Sequence, residues 1–267
     1  MLGLVLGGGA AKGYAHIGVI KVIEELGIKP DIVVGASMGA LIGGFYAAGF
    51  DSKTLTGIAL KIDKKKKNWL FKPHISKKGF VEGRNVLRFL EPYLGNKKIE
   101  NLSIKYAAIA TDIENEAEII IDRGDLLQAI RAAISIPVVF MPHHYAGRIL
   151  IDGGFVNPVP ITVCQKLGAE KIIAVNVLRH ADYKQLSISS TSPSYMKYNF
   201  KKVFEETFEL ITSRLIDYEI GQMKKGIVID INTKGIGMSQ FEKGKQAIER
   251  GYSEVQKYRE ELRKLAV

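Results

Sequence analysis

Residues 31–50 read Asp-Ile-Val-Val-Gly-Ala-Ser-Met-Gly-Ala-Leu-Ile-Gly-Gly-Phe-Tyr-Ala-Ala-Gly-Phe, and they decide how the chain folds. Asp31 to Val34 is an apolar run of strand length, and Ala40 to Ala48 is a small-residue run of helix length. Between them stands Gly35-Ala36-Ser37-Met38-Gly39, a Gly-x-Ser-x-Gly turn. In a strand-to-helix turn of this kind the serine takes a strained backbone position, while Gly35 and Gly39 leave room for close packing and an exposed hydroxyl. Ser37 is therefore a candidate nucleophile. Ile32 to Phe50 is nineteen residues without a charge, close to the span of a bilayer, but five glycines and a serine favour a buried strand followed by a buried helix.

Upstream, Leu2 to Leu6 is a second apolar run, Gly7-Gly8-Gly9-Ala10-Ala11-Lys12-Gly13 turns the chain, and Ala15 to Leu26 carries apolar residues at helical spacing. Gly27 and Pro30 end that helix, so residues 2–36 form a βαβ unit whose two strands run parallel. The chain starts without a basic leader and reads as a strand, not a signal peptide. Strands are predicted at Tyr106–Thr111, Ala117–Ile121, Arg148–Asp152, Lys171–Leu178 and Ile227–Ile231. Helices are predicted at Leu126–Ile134 and from Phe241 to about Leu265. This is the order of an α/β fold: a single three-layer α/β/α domain over residues 1–267 with a mostly parallel central sheet. Residues 61–80 and 180–200 read as mobile excursions.

The net charge of +10 is concentrated. Residues 1–60 balance at four lysines against four acids, whereas residues 61–78 carry eight lysines against Asp63 alone. Lys64, Lys65, Lys66 and Lys67 lie beside Trp69, Leu70 and Phe71, a combination suited to an anionic membrane surface. A solvated loop would have the same composition. No recognition helix or base-stacking motif accompanies the lysines, so nucleic acid is not expected as a partner. Cys164 is the single cysteine, which excludes an internal disulfide and fits a reducing, cytoplasmic compartment, with peripheral contact at the inner membrane surface.

A glycine turn between strand and helix presents unpaired amides to an anion. The spacing of Gly7 to Gly13 fits neither Gly-x-Gly-x-x-Gly nor Gly-x-x-x-x-Gly-Lys-Ser/Thr, since Lys12 and Tyr14 fall where glycine and lysine would be needed. The remaining anion is a transient one: amides of Gly8, Gly9 and Ala10 would face the oxyanion formed when a nucleophile attacks an ester carbonyl. Parallel strands of a βαβ unit bring this turn and the Ser37 elbow to the same sheet edge.

Ser37 needs a base. One choice is a Ser37, Asp152, His180 order, as in an α/β-hydrolase-type esterase or thioesterase. The other is Asp152 acting directly, because it ends an apolar strand and is followed by Gly153-Gly154, which allow close backbone approach. A tight Asp-Gly turn would use the same residues without catalysis.

Gly8-Gly9-Ala10-Ala11-Lys12-Gly13, Gly35-Ala36-Ser37-Met38-Gly39 and Asp152-Gly153-Gly154, in this order, resemble the three motifs of the patatin-like phospholipase family. Ala15-His16-Ile17-Gly18-Val19, Ala110-Thr111-Asp112 and Asn157-Pro158-Val159-Pro160 agree with it, and the likeness covers residues 1–177. The resemblance implies a patatin-like fold, a Ser37–Asp152 dyad without histidine, and an oxyanion hole from Gly8, Gly9 and Ala10. It also implies hydrolysis of lipid acyl esters, with no cofactor and no metal. Lys12, Gly13, Gly35, Gly39, Gly153 and Gly154 are the motif-supporting positions. Ala10 stands where the family pattern has glycine, so a positive φ there would be costly, and Lys12 replaces the more frequent arginine. A non-catalytic, membrane-binding regulatory protein of the same fold is the second class consistent with these residues.

Overall fold

The structure is a computed structural model that describes residues 1–72, 83–178 and 199–266. In chain order its regular elements begin with β1 (Leu2–Leu6), α1 (Ala15–Glu25), β2 (Ile32–Ala36), α2 (Met38–Ala47), α3 (Ser52–Leu60), α4 (Lys64–Leu70) and α5 (Arg84–Leu94). Next come β3 (Lys105–Asp112), β4 (Ala117–Ile121), α6 (Leu126–Ala133), β5 (His143–Tyr145), β6 (Arg148–Asp152), α7 (Ile161–Lys166) and β7 (Lys171–Asn176). The chain then closes with α8 (Phe200–Gly221), β8 (Gly226–Asp230), α9 (Gly244–Val255) and α10 (Arg259–Ala266).

β1 lies between β2 and β7, β2 pairs with β3, and β7 pairs with β8, all in parallel. β4 and β6 join β3 antiparallel, and β5 pairs antiparallel with β6. The result is a mixed, mostly parallel sheet with helices on both faces. The strands read as continuous apolar runs because alternate residues serve opposite faces. Leu4, Leu6, Val33, Ile173 and Val175 face one core, and Val5, Ile32, Val34, Ile172 and Ala174 face the other. Helices α1, α2, α3, α5, α6 and α9, with Leu70 of α4 and Leu262 of α10, supply the first core, while α7 and α8 supply the second.

Two glycines clamp the chain's ends together. A Cβ on Gly18 would stand 2.1 Å from the Ile248 carbonyl oxygen, and one on Gly251 would stand 2.0 Å from that of Ala15, so α1 and α9 touch backbone to backbone.

Several expectations are changed. The stretch Ile32–Phe50 is indeed strand plus buried helix, and among the described residues no helix is long and apolar enough to cross a membrane. Residues 64–70, expected within a mobile excursion, form α4, because the Asp63 carboxylate caps it by accepting from the Lys66 amide at 2.7 Å. Within that excursion residues 73–80 lie outside the described residues, as do residues 180–198 of the second. The C-terminal helix is broken: a short 3-10 turn at Gln256–Tyr258 redirects the chain, and Leu262 beyond it is fully buried. Helices α3, α5, α7 and α8 were not anticipated.

Candidate active site

β2 ends at Ala36, in register with Ile109 of β3, and the next β3 residue, Ala110, is paired with Asp152 of β6. β4 pairs with Ala108 to Asp112, overlapping both of those partners. A strand has two edges, so β2 and β6 must follow one another along the edge of β3 that β4 does not use. Ser37 leaves β2 where Asp152 ends β6. The Ser37 hydroxyl donates to Asp152 Oδ2 at 2.6 Å.

The elbow takes its shape from backbone crowding. A Cβ on Gly39 would lie 1.9 Å from the Leu6 carbonyl oxygen, and one on Gly35 would lie 2.4 Å from the Gly39 carbonyl carbon, so both positions exclude any side chain. Ser37 itself has φ +51° and ψ −125°, a conformation that costs on the order of 1–3 kcal/mol. Gly13 makes room for Met38 of α2 in the same way, at 2.4 Å from its Cγ.

Asp152 is fully buried and held at every polar atom. Oδ1 accepts from the Gly154 amide at 2.8 Å, its amide donates to the Ser135 carbonyl at 3.0 Å, and its carbonyl accepts from the Thr111 hydroxyl at 2.9 Å. Burial pushes its carboxyl up to about 7, against the opposing pull of the Ser37 and Gly154 hydrogen bonds. A Cβ on Gly153 would meet the Ile109 carbonyl oxygen at 2.2 Å, which is why glycine follows the aspartate. Neither Thr111 nor Ser135 was read as a site residue from sequence: Thr111 entered only as the end of a strand and within Ala110-Thr111-Asp112, and Ser135 not at all. Buried Arg131 donates to the Ser135 hydroxyl at 2.6 Å and so braces this turn.

In the glycine loop, the Gly8 amide donates to the Pro158 carbonyl at 2.8 Å and is already committed. Among the described residues the amides of Gly9 and Ala10 have no partner. Ala10 has φ +46°, the conformation for which glycine is favoured, and it faces the same cavity as Ser37. Lys12 is turned away from the serine: its buried ammonium pairs with Glu209 of α8, fastening that helix beneath the loop. Phe208, one residue earlier, packs on Phe155 with ring centroids 4.9 Å apart.

Of the histidines, His16 donates from Nε2 to the Gly7 carbonyl at 2.7 Å, and burial pushes it down to about 4, so it is a neutral brace of the loop. His143 and His144 lie on β5. His74 and His180 lie outside the described residues. Among the described residues no histidine bonds to Ser37 or Asp152.

An apolar cavity opens from Ser37 between α2, α4 and α5. Leu41, Leu70, Phe71, Val86, Leu90 and Phe140 line it. This cavity was not legible in the sequence, and it relocates Phe71. Phe71, expected among the membrane-contact residues, is half-buried and packs between Phe140 (5.4 Å) and Phe241 (5.1 Å) with the rings tilted. Lys67 is likewise drawn inward, to Glu242 at 2.8 Å. Lys64, Lys65 and Trp69 remain exposed, and Lys66 partly so.

Comparison with known proteins gives this arrangement a family. An uncharacterized NTE family protein of Mycobacterium tuberculosis is 38% identical over 174 residues, covering 65% of this chain and 48% of its own length. Neuropathy target esterase sws of Drosophila melanogaster is 36% identical over 184 residues, 66% of this chain and 13% of the fly protein. Lysophospholipase NTE1 of Debaryomyces hansenii is 34% identical over 182 residues, 66% of this chain and 12% of the yeast protein. The chain thus spans less than half the length of these relatives. VipD from Legionella pneumophila shares the fold, with a TM-score of 0.51 at 15% identity over 97% of this chain and 66% of that one. The patatin-like phospholipase family model matches residues 4–164, more than half of the chain. This chain belongs to the patatin-like phospholipase family.

Proposed function

We propose that the chain is a serine hydrolase of lipid acyl esters, with Ser37 as nucleophile and Asp152 as its base. The observation that carries this is the 2.6 Å bond between them at the head of an apolar cavity. Asp152 accepts the Ser37 proton as Oγ attacks the acyl carbonyl, and the alcohol leaves with that proton. The amides of Gly9 and Ala10 receive the oxyanion, a contribution of about 3–4 kcal/mol per donor in comparable sites. Gly8, its amide held by Pro158, supplies clearance instead: a Cβ there would stand 3.3 Å from the Ser37 Cβ. Water, activated by the same carboxylate, then clears the acyl-enzyme. The acyl chain occupies the cavity from Leu41 to Phe140. Relatives named as a lysophospholipase and an esterase support this substrate class.

The exposed part of α4 suits docking on an anionic membrane surface, where each lysine contributes about 1 kcal/mol. The test of the hydrolase reading is labelling with a fluorophosphonate probe: wild type reacts, and Ser37→Ala does not. Equal labelling of Ser37→Ala refutes the assignment of the nucleophile.

A further inference from the structure

A second concavity, of about 550 Å³, opens between α4 and α5 on the far side of Phe89 from the acyl cavity. Lys61, Lys65, Lys66 and Arg88 converge on it, with Trp69 and Tyr93 as apolar walls. Its single carboxylate, Asp63, is occupied in capping α4. The cations are held over rings: the Lys66 ammonium lies 4.3 Å from the Trp69 ring and 5.3 Å from that of Phe89, and Lys61 donates to the Tyr93 hydroxyl at 3.2 Å. Among the described residues Lys61, Lys65, Lys66 and Arg88 form no ion pair, whereas neighbouring Lys67 does. Four converging cations facing one carboxylate repel each other, and an anion between them relieves that repulsion. Stems laid along aromatic rings have already lost part of the mobility that binding would cost.

We propose that this groove is a phosphate-binding site, filled by the headgroup of an anionic lipid and coupled to the dyad cavity through Phe89. It is not the place of the substrate's own headgroup, because neither Ser37 nor any residue of the glycine loop borders it. Phe89 is common to both walls. α4 gives Leu70, and its C-cap gives Phe71, to the acyl cavity, while Lys65, Lys66 and Trp69 of α4 face the groove; α5 gives Val86 and Leu90 to the one and Arg88 and Tyr93 to the other. An anion bridging Lys65 and Arg88 therefore fixes the spacing of the two helices that wall the acyl chain. The binding claim stands apart from the hydrolase reading, and only the coupling rests on it.

Trp69 is the single tryptophan and lies in the groove, so its fluorescence reports occupancy directly. Full-length Ser37→Ala protein, which cannot consume the lipid, is titrated with monomeric dihexanoyl phosphatidate, dihexanoyl phosphatidylcholine and inorganic phosphate. The expected result is saturable binding of phosphatidate, about tenfold tighter than phosphatidylcholine, and weakened about tenfold or more by Lys65→Gln with Arg88→Gln. Phosphatidate binding more tightly than inorganic phosphate supports the lipid as occupant, and equal affinity supports the site with free phosphate in that place. Absence of saturable binding by either, unchanged affinity in the double variant of unaltered thermal stability, or tighter binding of a single-stranded oligonucleotide overturns the site. In wild type, a saturating ether-linked phosphatidate, which offers no acyl ester to cleave, raises kcat/KM for a p-nitrophenyl acyl ester about threefold or more, and the double variant does not respond. Binding without any change in turnover overturns the coupling and leaves the site standing. If wild type shows no turnover at all, the hydrolase reading fails while the fluorescence result still decides the site.

Discussion

Ser37 donates to Asp152 at 2.6 Å across the gap where β2 stops and β6 takes over along one edge of β3. The two residues are 115 positions apart in the chain, and a third strand alone makes them neighbours. Because Asp152 is 0% exposed and Ser37 4%, the pair sits away from bulk water, where a carboxylate is a stronger base than in solution.

That burial fixes a pH dependence. In the proposed mechanism Asp152 accepts the serine proton only when ionised, and its carboxyl is pushed up to about 7. The rate of fluorophosphonate labelling should therefore rise about tenfold per pH unit below about pH 7 and level off above it. A rise centred near the ordinary carboxylate range would contradict the environment described for Asp152.

The same shift acts on stability, with the opposite sense. Between the ordinary value of 3.8 and about 7 the folded protein holds a proton at Asp152 that the unfolded chain has released. Stability falls as pH rises through that window, by on the order of 4 kcal/mol at most. Asp152→Asn removes the penalty while keeping an acceptor for the Gly154 amide. Thermal unfolding should show a Tm higher by several degrees at about pH 8 and little changed at about pH 4, with activity lost. Equal Tm differences at both values would show that the carboxylate is not under strain.

The elbow was legible because its signals are local. Gly35 is required by a contact within the strand-turn-helix itself and Gly39 by the end of the adjacent strand β1, the partner in the same βαβ unit, so five residues announce them. Asp152 is different: its Gly-Gly successor could be read as a simple turn, and its alliance with Ser37 depends on how β6 shares an edge with β2, which no spacing along the chain reveals. The Gly8 amide looked like an oxyanion donor until the backbone path of Pro158 claimed it. Helix α8 escaped notice because Val203, Leu210, Ile211 and Tyr218 are exposed and blur the apolar period. The lysine run hid α4 for the opposite reason, since charge masked a single capping aspartate.

Chain-length preference should follow the cavity wall. Val86 lies on α5 beside the path proposed for the acyl chain, and phenylalanine there would fill space that methylenes need. Each methylene displaced costs about 0.8 kcal/mol, or roughly fourfold in kcat/KM. Across a series of p-nitrophenyl esters, Val86→Phe should lose activity on long chains by about tenfold or more and keep it on acetate or butyrate. A uniform loss at every length would place the acyl chain elsewhere.

The central claim is that Asp152 alone activates Ser37, and turnover by Asp152→Asn tests it most directly. Asparagine preserves the size of the side chain and the bond to Gly154 but cannot take a proton. For a monomeric p-nitrophenyl acyl ester at about pH 8, the account predicts kcat lower by about a thousandfold or more in a protein that remains folded. A rate within about tenfold of wild type would contradict it, because some other group would then be the base.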